Sequence, residues 1–298
     1  MHISVLLEES IKYLNLKTDS IIVDCTLGYG GHSSKILEII KDGFLYAFDQ
    51  DEEAIKEAEK KLKSIGNNYK IIDKNFVNID KEITKKVDGI LFDLGVSSPQ
   101  LDEDYRGFSF HKDAELDMRM NQNQKLTAKK VVNEYSVDRL IDIFKKYGEE
   151  KYSNSIAHAI IKNRPINTTI ELSEIIKQSV PESYRRKSHP ARKIFQAIRI
   201  EVNDELNVFE KALKSSLEKL KPKGRICVIT FHSLEDRICK NIFKEASEVK
   251  KELRNLPIIP EEYLPKYKII ANVKPTEEEV KDNKRSRSAR LRVIERIW

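Results

Sequence analysis

The 298-residue chain is short of glycine, cysteine and tryptophan, with ten, three and one. Ten glycines are few, so a group of three between positions 28 and 31 marks a demand on the backbone. Cys25, Cys227 and Cys239 are odd in number and follow no pairing motif, which excludes a disulfide framework and suits a reducing compartment. Six histidines are scattered without ligand spacing, so no metal site is expected. No run approaches the roughly 18 apolar residues of a membrane span. The N-terminus lacks a basic lead, and Glu8-Glu9 interrupts its apolar run, so no secretory signal is expected and a cytoplasmic location is. No internal repeat is visible. Hydrophobic content of 40% suffices for a core, and the length suits one large domain or one domain with an insertion.

Charge of one sign is abundant only locally. The formal net charge is +6, yet Glu182–Arg199 carries six Lys/Arg against one acid, and Lys281–Trp298 seven against two. Each segment is therefore +5, and the remainder is acidic. Two such patches suggest a polyanion partner. A solvated lysine-rich surface accounts for the other lysine runs, but less well for Arg185-Arg186 or for Arg285, Arg287, Arg290 and Arg292.

The chain is organised around Ile21–His32. Ser20–Val23 reads as a buried parallel strand, Gly28, Gly30 and Gly31 as a loop, and Ile36, Leu37, Ile39 and Ile40 as the stripe of a following helix. Strand, glycine loop and helix start form the nucleotide-type crevice of an open α/β sheet. A dinucleotide fingerprint fails at Ser33; the methyltransferase pattern of an acid followed by alternating glycines fits better, with Thr26 replacing the first glycine. A second strand, Phe44–Phe48, ends at Asp49, placed to hold a ribose diol by two hydrogen bonds. Asp51 opens a helix over Ala54–Leu62 and reads as its cap. Phe76, just past a third strand at Tyr69–Ile72, is either core or a flank for adenine.

The fourth strand, 87–95, runs into Val96-Ser97-Ser98-Pro99-Gln100 at the reacting end of the crevice. The polar stretch 101–124 has no period and is too long for an ordinary connection, so a functional loop is expected. Helices follow over 131–147, 152–162 and 170–180. Phe195 to Leu220 then carries an amphipathic stripe, one helix or two broken near Asn203 and stopped by Pro222 and Gly224. A fifth strand, Arg225–Thr230, leads through Phe231–Arg237 into a helix to about Ala246. Final strands are expected at Tyr267–Val273 and Ala289–Ile297. His232 either faces the cleft or bonds within its own turn.

Asp24–His32, 93–102, Arg106–Phe110, Leu116–Met120, Gly148-Glu149-Glu150, Phe195–Val202, Phe231–Arg237 and Arg285–Arg292 together resemble the ribosomal RNA small subunit methyltransferase H family, also called MraW. The match runs through almost the whole chain, in order. Departures fall at Tyr29, Glu115 and Ala191-Arg192-Lys193-Ile194, the last in the segment expected to meet substrate.

The resemblance implies a class I S-adenosylmethionine-dependent methyltransferase sheet, α/β and Rossmann-like, with an inserted all-helical domain. The expected division is 1–112 with 205–298, and 113–204 as the substrate-recognising insertion. It implies methyl transfer to the exocyclic N4 amine of one cytidine in the decoding region of 16S rRNA, with the small ribosomal subunit as partner. Cofactor contacts carry over to Gly30, Gly31, His32, Asp49, Phe76, Asp93 and Gln100, and the loop adds Gly28. Asp93, Ser97 and Ser98 are candidate acceptors for the amine's protons, Pro99 stiffens their turn, and His232 is the further catalytic candidate. Arg106, Arg185, Arg186, Arg192, Lys193, Arg285, Arg287 and Arg290 are the candidates for RNA contact. A homodimer stays open.

Two other classes stay open on the residues. A methyltransferase for amines on DNA or protein would keep the loop and the proline turn, but would not be expected to carry 106–120 or 231–237. A non-catalytic RNA-binding assembly factor would explain the basic patches but not Asp49 and Asp93.

Overall fold

A computed structural model describes residues 4–97, 104–186, 189–249, 251–253 and 259–298. They fall into two compact units: residues 1–95 with 206–298, and residues 96–205.

The first unit is a seven-stranded sheet. Its strands are β1 (Ile21–Asp24), β2 (Phe44–Asp49), β3 (Tyr69–Asp73), β4 (Val87–Asp93), β5 (Leu220–Thr230), β6 (Tyr267–Val273) and β7 (Arg290–Arg296). Their order is β3-β2-β1-β4-β5-β7-β6. The first five are parallel, and β7 is antiparallel to β5 and β6. Alternate residues feed two cores: Val23, Ile90, Phe92, Ile226 and Val228 on one face, Ile22, Leu91, Cys227 and Ile229 on the other. Burial on both faces explains why these strands read as continuous apolar runs. The order reverses at β1, between β2 and β4, and the carboxyl ends there make the ligand crevice of such sheets. All three cysteines are buried and free.

One expectation needs correction here, at the start of β5. The chain's first helix spans Leu7–Leu14, its start set where Leu6 takes a left-handed backbone. Of the two readings of the amphipathic stripe, the second holds: it is two helices, Ala191–Asn203 and Glu205–Lys219, broken where Asp204 has φ 50°. Helix does not run to Pro222; β5 starts at Leu220 and takes Pro222 and Gly224 into its irregular first part, where the β4–β5 register shifts.

The second unit is helical: Ala128–Glu134, Val137–Lys146, Ser153–Lys162, Thr169–Gln178, the short Glu182–Arg185, and Ala191–Asn203. The single helix expected over 131–147 is interrupted by Ser136, whose hydroxyl accepts from the Arg139 N–H and caps a new start. Thr168 and Glu171 form a reciprocal capping box. A Cβ at Gly148 would stand 2.7 Å from the Phe144 carbonyl oxygen and 2.9 Å from that of Lys193. Glycine there lets the Ala191–Asn203 helix approach. Beside it, buried Glu150 accepts from the Tyr184 hydroxyl at 2.6 Å and the Tyr152 N–H at 2.9 Å. No helix among the described residues is long and apolar enough to cross a membrane.

Candidate functional site

The carboxyl tips of β1, β2 and β4 hold one carboxylate each, and the glycine loop is tied to all three strands. Asp24, fully buried, accepts from the Ser33 hydroxyl at 2.7 Å and the Thr26 N–H at 3.0 Å. Thr26 Oγ1 in turn accepts from the Asp93 N–H at 2.7 Å. Threonine therefore stands where a first glycine was expected because its hydroxyl links the loop to β4. Burial raises the Asp24 pKa, partly offset by the Ser33 and Thr26 bonds. Gly30 has φ 79°, and a Cβ on it would press to 3.2 Å on that of Ala58. A side chain there would be strained by the positive φ and would press on the Ala58 helix. Gly28 also has positive φ, and Gly31 opens the Gly31–Ile39 helix.

Asp49 is committed to the backbone. Its Oδ2 accepts from the Gly28 N–H at 2.7 Å, and its Oδ1 from those of Gln50 at 2.8 Å and Asp51 at 3.0 Å. A carboxylate offers about four lone-pair positions, so about one remains for a ribose hydroxyl where two bonds were expected. Burial pushes its pKa up to about 6 against the pull of those three N–H donors. Asp51 caps the Glu52–Lys63 helix through the Glu53 N–H, as its sequence context suggested.

Asp93 is the least satisfied group. Its Oδ2 lies 3.5 Å from Nδ1 of buried His32, while its Oδ1 is buried with no hydrogen-bond partner among the described residues. Burial, with the Asp24 and Glu235 carboxylates nearby, holds its pKa well above the usual range. An orphaned acceptor of high proton affinity suits a ligand that brings N–H or O–H donors. Phe76 is half-buried, meets Phe92 edge-on at 5.6 Å, and packs on the core, which leaves part of the ring for a flat ligand.

His232 follows the tip of β5, and its Nε2 lies 3.1 Å from Oε1 of buried Glu235. Glu235 Oε2 accepts from the Phe231 N–H at 2.8 Å and the His232 N–H at 3.3 Å. Glu235 thus holds the backbone of the turn, while both ring nitrogens of His232 are buried with no hydrogen-bond partner among the described residues. Glu235 was missed from the sequence, although a glutamate three residues into a helix is the capping-box spacing. Ser97 belongs to the helical unit. Ser98, Pro99 and Gln100 lie outside the described residues.

The basic candidates separate. Arg106 is not at a surface: it is 1% exposed, and its Nη2 donates to the carbonyls of Arg119 at 3.1 Å and Met120 at 3.3 Å. Its place in a polar stretch concealed a tie that folds 106–120 onto itself. Arg290 lies 3.5 Å from Asp236, which also takes Arg292 bidentately at 2.7 and 3.0 Å. Lys193 donates to the Glu149 carbonyl at 2.9 Å. Arg185 is half-buried, whereas Arg186, Arg192, Arg285 and Arg287 are exposed, Arg186 in an i,i+4 pair with Glu182.

A parallel sheet of this order, with a braced glycine loop after its first strand and carboxylates on the first, second and fourth, defines a class I methyltransferase site. Comparison with known proteins agrees. Residues 1–297 match the family described as MraW methylase. The ribosomal RNA small subunit methyltransferase H of Exiguobacterium sibiricum is 51% identical, over 99% of this chain and 98% of its own. A putative rRNA-methylase structure from Clostridium thermocellum, covered in full with this chain, is 14% identical with a TM-score of 0.48. That of an rRNA methylase from Streptococcus thermophilus is 13% identical, over 97% of this chain and 95% of its own, with a TM-score of 0.46. Likenesses as distant as these two carry no functional weight. The chain belongs to the MraW methylase family and is an S-adenosylmethionine-dependent methyltransferase.

Proposed function

We propose that this chain methylates the exocyclic N4 amine of one cytidine in the decoding region of 16S rRNA, acting on the small ribosomal subunit in the cytoplasm. The observation that carries the reading is the 51% identity, nearly end to end, with a relative named for small-subunit ribosomal RNA. The site's chemistry supports it. S-adenosylmethionine, when bound, supplies a methyl group on a good leaving sulfur. The protein then has to align amine, carbon and sulfur, and alignment of this kind supplies roughly 7–11 kcal/mol.

A cytosine amine is a poor nucleophile because its lone pair is delocalised into the ring. An acceptor that draws on its protons lets nitrogen pyramidalise and concentrates the pair. Asp93 Oδ1, buried with no hydrogen-bond partner among the described residues, is the candidate acceptor. Ser97 and Ser98 are assigned supporting roles as acceptors, with Pro99 beside them in the sequence, and Gln100 is assigned to the cofactor. Gly28, Gly30, Gly31, His32, Asp49 and Phe76 are assigned to the cofactor, with Asp49 taking one ribose hydroxyl. Glu235 positions the turn, and His232, with neither ring nitrogen hydrogen-bonded among the described residues, is the further catalytic candidate. Residues 113–204 are assigned to selecting the RNA, with Arg186 and Arg192 among the phosphate contacts and Arg285 and Arg287 supplying others.

Incubation with labelled S-adenosylmethionine and small subunits from cells lacking the modification tests this directly. Label is expected in the RNA; label confined to ribosomal protein, or accepted only by DNA or another protein, overturns the reading.

A further inference from the structure

Within the helical unit, the end of the stretch 106–111 meets the turn before the Ala191–Asn203 helix in a cluster of four rings that the proposed chemistry does not use. Phe110 lies 4.7 Å from His189, stacked at 24°, and 4.2 Å from His111, tilted at 44°. Phe195 meets Phe110 edge-on at 5.5 Å, and His111 and His189 are 5.8 Å apart. The cluster grades from core to solvent: Phe195 is buried, Phe110 and His189 are half-buried, and His111 is exposed. Its two segments are fixed locally. The His111 N–H donates to Ser109 Oγ at 3.2 Å, and the Ala191 N–H to His189 Nδ1 at 3.3 Å. Lys177 and Arg192 are the cations that act on His189, and Glu174, which pairs with Lys177 at 3.1 Å, is the opposing acid. Arg192 is exposed in the first turn of its helix.

Plain core packing accounts for Phe195 and the inner face of Phe110. It does not account for an exposed imidazole carried on a packed ring stack with an arginine beside it. Rings on a rigid base, with cations at the rim, are what an unpaired nucleobase and its phosphate require. Single-stranded RNA is held by stacking on Phe, Tyr, Trp and His, and the phosphate by a neighbouring cation.

We propose that Phe110, His111 and His189 form a stacking platform for an unpaired base of the RNA substrate, with Arg192 on the adjoining phosphate. The proposal rests on the ribosomal RNA reading above and adds to it the place where a nucleotide is held. Every base has a π face, so the platform fixes the strand's position without demanding a sequence.

The test uses the full chain with a decoding-region RNA fragment, intact or carrying a single abasic site at each position in turn. Binding is compared for wild type, His111→Ala and His111→Tyr, with S-adenosylmethionine affinity measured on the same samples as a check of the fold. His111→Ala is expected to weaken binding on the order of tenfold, with cofactor affinity unchanged. His111→Tyr should restore it, and at one position the abasic fragment should no longer distinguish His111→Ala from wild type. Equal binding by wild type and His111→Ala overturns the platform alone, as does loss of affinity that adds fully to the abasic loss at every position. Failure of wild type to prefer this RNA over unrelated RNA overturns the ribosomal reading itself.

Discussion

Asp49→Asn exchanges one carboxylate oxygen for an amide nitrogen of nearly the same size. The native carboxylate accepts from three backbone N–H groups, two on Oδ1 and one on Oδ2. An asparagine keeps most by turning its oxygen to Gln50 and Asp51, so its NH2 faces the Gly28 N–H, donor against donor. The glycine loop then loses a charge-assisted bond of about 1.5–3 kcal/mol. Cofactor affinity should fall about 10- to 150-fold.

Stability should behave differently. With a pKa of 3.8 unfolded and about 6 folded, Asp49 adds stability below about pH 4 that is lost as pH rises through about 6. The gap amounts to about 3 kcal/mol at neutral pH, trimmed by the side chain's partial exposure. Asparagine removes that charge cost, which offsets the lost bond. At pH 7 the variant should melt close to wild type, and at pH 5 below it. Calorimetric titration from pH 7.5 to 5 should show wild-type affinity falling below about pH 6 and a flat profile for the variant. Wild-type affinity in Asp49→Asn, or equal pH profiles for both proteins, would refute the claim that Asp49 anchors the loop for the cofactor.

The remaining expectations concern the arginines. Arg106→Met strips two partly buried carbonyls of their donor and leaves a cavity's worth of polar packing unfilled, and should cost about 1–3 kcal/mol by urea unfolding; unchanged stability would show that the tie does not hold 106–120 together. Asp236→Ala leaves Arg292, largely buried, without its bidentate partner and should cost about 2–3 kcal/mol while the folded protein binds cofactor normally. Because Asp236 is held below its usual pKa by Arg292 and Arg290 despite burial, its contribution is present above about pH 4 and fades as pH falls below that. Arg287→Ala should flatten the salt dependence of RNA binding by about one unit of slope, and Arg290→Ala should not; the reverse order would exchange their roles.

Much of the fold was legible because strands buried on both faces must be apolar throughout, and β1, β2 and β4 announce themselves so. Asp49 and Asp93 were legible as strand-tip acids, and Asp51 as a cap. What Asp49 does for the loop was not, because its partner Gly28 lies 21 residues away and contributes only a backbone N–H. Arg106 misled for a related reason: an arginine among polar residues looks solvated until the chain folds its carbonyls around it. Ser136 breaks a helix whose apolar period continues across it, so periodicity joined what a capping serine divides; across Asp204 periodicity left one helix or two open, and the backbone decides for two. The start of β5 at Leu220 was hidden because Pro222 and Gly224 read as punctuation.

The central claim is the atom that receives the methyl group. Small subunits lacking the modification, treated with this protein and isotopically labelled S-adenosylmethionine, can be digested to nucleosides and to overlapping fragments for mass spectrometry. The account expects one labelled N4-methylcytidine per subunit, mapping to the decoding region and absent with Asp93→Ala. Label on a cytidine carbon, on another base, on a ribose hydroxyl or outside the decoding region would contradict it.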